Sequence, residues 1–129
     1  KAVSYVLKKL NFKDVVVFNR TLEKAKAIAS LYNFDSATLN ESSLGILKNH
    51  SDLIINATSI GMLEGEDVLP FYEFSGYEYV FDLIYNPEKT RLLQKAEEKG
   101  CKICNGYSML KYQAEEQFKI FMGDKDDKY

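Results

Sequence analysis

The sequence predicts an α/β fold in three layers, a parallel sheet covered by helices on both faces. Short apolar runs alternate along the chain with longer segments of helical period. The runs are Val15-Val16-Val17-Phe18, Leu53-Ile54-Ile55, Tyr79-Val80-Phe81 and Cys101-Lys102-Ile103-Cys104. The first two are apolar at successive positions, as strands buried on both faces are. At 129 residues, 46% of them hydrophobic, the chain is large enough for one core.

Residues 2–10 set Ala2, Val3, Val6, Leu7 and Leu10 on one helical stripe. No capping residue precedes them, so the chain is expected to begin at a cut. A strand is expected at 14–18, rising into Asn19-Arg20-Thr21 and then a helix from about 22 to 33. Leu22, Ala25, Ile28 and Ala29 form the packing face of that helix, and Thr21 takes the capping position. Ser36-Ala37-Thr38-Leu39 reads as an edge strand, followed by a short helix at 41–48 with Asn40 as its cap. Leu53-Ile54-Ile55 ends in Asn56-Ala57-Thr58-Ser59-Ile60-Gly61-Met62, a turn of small and hydrogen-bonding residues. The acidic stretch 64–76, with Pro70 and two glycines, reads as a long connection holding one helical turn. Tyr79 to Tyr85 is the next strand and its exit, after which Asn86 caps a helix opened by Pro87 and stopped by Gly100. After the short strand at Cys101 to Cys104, Asn105-Gly106 turns the chain into a helix from about Ser108 to Phe121. Leu110, Ala114, Phe118 and Phe121 form its stripe. One domain is expected over residues 1–123, with 124–129 as a charged tail.

A formal net charge of -2 argues against a general nucleic-acid binder, so any phosphate must be held locally. No apolar run reaches the roughly 20 residues of a membrane span and no signal peptide opens the chain, which makes the cytoplasm the expected location. Cys101 and Cys104 are expected to be ordinary strand thiols on opposite faces, since no second Cys or His pair completes a zinc site. His50 lies in a polar connection with no acidic or nucleophilic partner in its local sequence, and is expected at the surface without a catalytic part. No Ser-His-Asp set, phosphate loop or metal-spaced acid pair is present, so neither a metal nor a catalytic group is assigned to this chain.

In an open parallel sheet, ligands bind at the carboxyl ends of the strands. Four exits therefore stand as candidates: Asn19 to Thr21, Asn56 to Gly61, Asp82 to Tyr85, and Asn105 to Gln113. Arg20 matters most at the first, because a planar, permanently charged fork suits a phosphate. Met109 and Gln113, four apart, share one helix face that can look back at the exits. Each exit has a structural alternative. Asn19 to Thr21 can be a solvated turn, Asn56 and Asn105 can satisfy turns, Asp82 can accept backbone N–H groups, and Gly106 can supply an unusual backbone angle.

Taken in order, four motifs resemble the carboxyl-terminal NADP-binding domain of shikimate dehydrogenase, a Rossmann-type sheet. They are Asn19-Arg20-Thr21, Asn56 to Met62, Asp82-Leu83-Ile84-Tyr85-Asn86-Pro87 with Thr90, Leu92, Leu93, Ala96 and Gly100, and Asn105 to Leu110 with Gln113 and Phe118. The resemblance runs from Lys1 to about Phe121. It implies NADP as cofactor and a reversible, NADPH-dependent reduction of 3-dehydroshikimate to shikimate, a small-molecule substrate, in aromatic amino-acid biosynthesis. It also implies roles: Asn19, Arg20, Thr21, Leu22, Glu23 and Lys24 hold the adenosine end, with Asn56, Ala57 and Thr58 also at the cofactor. Leu83, Gly106 and Met109 lie at the nicotinamide, and Tyr85 and Gln113 reach the substrate.

The family's substrate domain, with its catalytic Lys and Asp, has no counterpart here, and neither do the first strand and Gly-rich loop of the sheet. The chain is thus expected to be a fragment, inactive alone, whose strands at 14–18 and 52–56 flank the missing strand and do not pair. Leu63-Glu64 departs from a proline common in the family. The absence of an acid between the strand and Glu23, with Arg20 and Lys24 present, favours NADP over NAD. A homodimer is compatible with the resemblance. Two alternatives stand beside it: the cofactor domain of a related NADP enzyme such as glutamyl-tRNA reductase, and a noncatalytic Rossmann-type regulatory or interaction module.

Overall fold

The computed structural model describes residues 2–107 and residue 115. Met109, Gln113, the helix expected from Ser108 to Phe121 and the tail at 124–129 lie outside the described residues, apart from Glu115, which is helical. The element order is α1 (Ala2–Lys9), β1 (Val16–Asn19), α2 (Leu22–Leu31), β2 (Asp35–Thr38), a 3-10 turn (Glu41–Ser43), α3 (Leu44–Lys48), β3 (Leu53–Asn56), β4 (Tyr79–Asp82), α4 (Arg91–Glu98) and β5 (Lys102–Asn105). The chain forms two compact units, Lys1–Ile54 with Pro70–Glu73, and Ile55–Leu69 with Phe74–Tyr129. β3 begins in the first and ends in the second.

In the first unit β1 and β2 run parallel, from Val16 opposite Asp35 to Asn19 opposite Thr38, with α2 as the crossover. The expected stripe makes that crossover pack: Ala25 and Ala29 are buried and Leu22 and Ile28 half-buried. Asn33, in the left-handed region at φ 59°, ends α2, and the Phe34 N–H donates to the Ala29 carbonyl at 2.9 Å. Asn40 caps the next turn as expected, its side chain accepting from Ser42 N–H at 3.0 Å.

Two expectations in this unit need correction. All four residues of β1 are half-buried rather than buried; among the described residues its ladder is to β2 alone. In α1 only Val3 and Leu7 of the apolar stripe are half-buried, while Ala2, Val6 and Leu10 are exposed. Aromatic contacts set the rotation of this helix. Tyr5 meets Tyr32 edge-on at 6.5 Å, Tyr32 is tilted over Phe34 at 6.0 Å, and the Lys8 ammonium lies 5.9 Å from the Phe34 ring.

His50 is half-buried, and its acidic partner comes from outside its local sequence. Its Nε2 lies 2.9 Å from Asp14 Oδ1 and its Nδ1 2.8 Å from the Ile46 carbonyl. Asp14 stands 36 residues away in sequence, out of reach of any local reading. Both ring nitrogens face acceptors, so only the imidazolium satisfies both. The Ile46 carbonyl, against an opposing effect of burial, and then Asp14 and Asp35 raise the His50 pKa above its ordinary value of 6.5. A raised folded-state pKa stabilises the fold fully below about 6.5, and that contribution is lost as pH rises through the folded value. With Asp14 81% exposed, about 0.5–1 kcal/mol is expected. The melting-temperature gap between wild type and His50→Gln should therefore be a few degrees at pH 5.5 and shrink toward pH 8.5. A gap independent of pH would refute the ion pair.

In the second unit the sheet order is β3-β4-β5, so β1 and β3 belong to different sheets. β4 and β5 are parallel, from Tyr79 opposite Lys102 to Asp82 opposite Asn105, and α4 is their crossover, with Leu92, Leu93 and Ala96 at most 1% exposed. This helix starts at Arg91 and not at Pro87 as expected. Thr90 is its cap, accepting from Leu93 N–H at 3.3 Å while its hydroxyl donates to Asp82 at 2.8 Å. A tertiary anchor outweighs the local preference for proline at the first helical position. Gly100 does end α4: at φ 89° its N–H donates to Glu97 and the Cys101 N–H to Ala96, the paired bonds of a left-handed helix stop.

The connection at 64–76 has no helical turn among its residues. It is held instead by Lys95, whose ammonium donates to Asp67 at 2.6 Å and to the Leu69 carbonyl at 2.8 Å. Cys101, buried, immediately precedes β5, Cys104 lies within it, and both are free thiols. Burial, and then the Glu78 carboxylate that accepts its S–H, push the Cys101 thiol up, which makes it a poor nucleophile.

Candidate functional site

The first cluster stands where β1 ends. Asn19 Oδ1 accepts from the Thr21 N–H at 2.9 Å, a local bond that turns the chain out of the strand and into α2. Thr21 occupies the cap position without a side-chain capping bond, contrary to the simplest structural reading, so its exposed hydroxyl remains available. Arg20, Glu23 and Lys24 are exposed and Leu22 is half-buried under the turn. Among the described residues the Arg20 guanidinium enters no ion pair. A free planar cation thus stands beside the amino end of a ten-residue helix, with Lys24 one turn further on. Helix dipole and side-chain charge together favour an anion here.

The second cluster belongs to the strand exits of the other unit. Asn56 is only 4% exposed and its amide is fully engaged. Its Nδ2 donates to the Ile60 carbonyl and to Asp82, and its Oδ1 accepts from the N–H and hydroxyl of Thr58. The turn that follows is tied by Glu66, which accepts from Gly61 and Leu63 N–H groups. Ala57 and Thr58 are exposed, whereas Asn56 offers shape rather than a free polar group.

At the β4 exit Leu83 is half-buried and Tyr85 is 55% exposed. Beside it Gly106 donates its N–H to the Ile84 carbonyl at 3.1 Å. A Cβ on Gly106 would lie 1.8 Å from the Leu83 carbonyl oxygen. The glycine is needed for this approach of two backbones and not for the unusual backbone angle of its structural alternative, since its φ is not positive. Asn105 Nδ2 donates to the Glu88 carbonyl at 2.7 Å.

Asn56, Leu83 and Gly106 are thus brought together by hydrogen bonds at one end of the sheet, with Tyr85 following Ile84 in the chain, and Asn19 to Lys24 form their own cluster in the first unit. Sequence reasoning missed Glu66, and it could not see that Asp82 joins Asn56, brought in by the strand order, to Thr90, brought back by the connection into α4. A pocket of about 470 Å³ at the amino ends of β1 and β2, lined by Val16, Phe34, Asp35, Ser36, Ile46 and His50, is at the wrong end of the strands for this chemistry. Among the described residues no cluster of acidic, His and Cys side chains could hold a metal ion, and no helix is long and apolar enough to cross a membrane.

No protein-family model matches the chain. Among curated proteins it is similar to the shikimate dehydrogenase (NADP(+)) of Thermococcus kodakarensis, 42% identical over 127 residues. That match covers 98% of this chain and 46% of the relative. Among solved structures it is similar to shikimate dehydrogenase from Aquifex aeolicus, with a TM-score of 0.78 and 33% identity over 95% of this chain and 44% of that one. It is also similar to shikimate 5-dehydrogenase from Thermus thermophilus in complex with NADP(H) and shikimate, with a TM-score of 0.79 and 30% identity over the same shares. The chain therefore spans less than half the length of these proteins, and across that span its α/β fold is theirs.

Proposed function

The chain belongs with the shikimate dehydrogenases, as a homologue of part of their length, and from that premise we propose that it holds NADP in such an enzyme. The observation that carries this reading is Arg20: exposed, unpaired among the described residues, and at the exit of β1 with no acid before Glu23. An acid there would bond the ribose hydroxyls of NAD and repel a 2′-phosphate, whereas a guanidinium fork binds that phosphate through charge-assisted hydrogen bonds. Asn19, Thr21 and Lys24 add neutral and cationic donors to the same anion, and Leu22 and Glu23 complete the adenosine end.

When bound, the cofactor supplies the hydride for reversible reduction of 3-dehydroshikimate to shikimate. The residues of this chain bind and orient. Leu83 and Met109 are assigned as the apolar wall of the nicotinamide, with Gly106 beside it, and Asn56, Ala57 and Thr58 are assigned to the cofactor as well. Tyr85 and Gln113 donate and accept hydrogen bonds, as a polyhydroxylated acid requires. No residue of this chain is assigned the proton transfer.

Hydrogen bonds to a charged group contribute about 1.5–3 kcal/mol, so Arg20→Ala should weaken NADP binding roughly ten- to a hundredfold and NAD binding much less. Titration of wild type and variant with both nucleotides decides the matter. Equal weakening of the two would make Arg20 a structural residue and remove the main support for the cofactor assignment.

A further inference from the structure

Asp82 is fully buried, at 0% exposure, and its carboxylate has no part in the binding roles assigned above. Its Oδ1 accepts from Asn56 Nδ2 at 3.2 Å and from its neighbour Ile84 N–H at 3.0 Å, and its Oδ2 accepts from the Thr90 hydroxyl at 2.8 Å. One carboxylate thereby joins the end of β3, the exit of β4 and the first turn of α4. Around it, Leu83 N–H donates to the Asn56 carbonyl at 3.0 Å, and the Ile84 carbonyl accepts from Gly106 at 3.1 Å. Both N–H groups and the last carbonyl before Tyr85 are therefore held.

Burying a charge is a poor route to stability, because well-packed apolar groups of similar volume commonly do as well. What a carboxylate supplies and an apolar residue cannot is several directed bonds from one point, which give three segments one geometry. We propose that Asp82 is a positioning residue: through Ile84, Asn56 and Thr90 it fixes the turn that presents Leu83 to the nicotinamide and Tyr85 to the substrate, touching neither ligand itself. This rests on the assignment of those two residues made under Proposed function. Thr90 is part of the same device, since its hydroxyl donates to Asp82 while accepting from Leu93 N–H, so the α4 cap and the β4 exit are held together.

The test uses the complete enzyme of which this chain is proposed to be the cofactor-binding part, carrying Thr90→Val, Thr90→Ser or Asp82→Asn. Thr90→Val removes the donor to Asp82 at nearly constant volume, and Thr90→Ser restores it. Misplacing reacting groups by about an ångström can cost a hundredfold in rate. With shikimate and NADP, Thr90→Val should lower kcat by about ten- to a hundredfold while the NADP KM moves less than about threefold, because the Arg20 grip is untouched. Thr90→Ser should return kcat to near wild type. Hydrogen exchange of the Leu83 and Ile84 amides should accelerate in Thr90→Val and in Asp82→Asn.

If Thr90→Val melts earlier but keeps wild-type kcat and amide exchange, the network is merely structural and the proposal is overturned. A wild-type protein that neither binds NADP nor oxidises shikimate would sink the functional reading instead. The exchange measurement then still tests the lock, and unchanged exchange at Leu83 and Ile84 would refute it.

Discussion

Gly106→Ala is expected to be among the most damaging single substitutions in the chain. The added Cβ would fall 1.8 Å from the Leu83 carbonyl oxygen and 2.5 Å from its carbon. These are backbone atoms of the β4 exit, so no side-chain rotation can relieve the overlap. The β5 exit must move away, and the Gly106 to Ile84 hydrogen bond is lost with it. Effects above about 4 kcal/mol arise from a few mechanisms, of which overpacking against fixed structure is one, and a loss of at least about 3 kcal/mol is expected. The nicotinamide end should weaken in parallel. Gly45→Ala is the control: nothing lies within 4 Å of its added Cβ and it sits within α3, so stability should be unchanged or rise by about 0.5–1 kcal/mol. Urea titrations of both variants make the comparison. A near-neutral Gly106→Ala would mean that the close approach of the two exits is wrong.

Glu78→Ala should be comparably severe, although Glu78 touches no candidate ligand. Its side chain is buried at 1% exposure and accepts from the N–H groups of Ser75 and Gly76 and from the Cys101 thiol. It therefore holds the turn that starts β4, where Gly76 lies at φ 113° and a Cβ would meet the Lys99 carbonyl at 2.7 Å. Truncation removes the charged acceptor of two backbone N–H groups in a partly buried turn and opens a cavity. Hydrogen bonds to a charged group contribute about 1.5–3 kcal/mol each, so a loss of about 3–5 kcal/mol is expected with the cavity included. Glu78→Gln keeps one acceptor oxygen and should lose roughly half as much. Thermal melts of the two variants test the ranking. If Ala and Gln were equally mild, the carboxylate would not be what holds the turn.

The elements whose signals are local were legible in the sequence. Leu22, Ala25, Ile28 and Ala29 announced the packed face of α2, Asn40 its neighbour's cap, and Gly100 the end of α4. The strand exits were legible for the same reason, since each follows an apolar run directly. What was not legible lies between distant positions. Asp14 and His50, Lys95 and Asp67, and Asp82 with Asn56 meet only after the chain has folded, and nothing near any of them in sequence signals the partner. Thr90 shows the cost of reading locally. Asn86-Pro87 carries the better local helix start, yet the buried carboxylate determines where α4 begins. Gly106 was singled out by the resemblance, but its close approach to Leu83 was not legible, because a glycine that admits a neighbouring backbone cannot be told in sequence from one that turns left-handed.

Both parallel ladders with a known register, β1 with β2 and β4 with β5, are closed by a single intervening helix. The consequence is kinetic. Closing a loop costs entropy that grows with the logarithm of its length, and folding slows as contacts become more remote in sequence. Each strand-helix-strand unit can therefore assemble from one continuous stretch of chain, with α2 or α4 collapsing onto strands that its own length holds nearby. Parallel pairing, ordinarily among the slower events of folding, is here kept within the shortest path that a crossover permits.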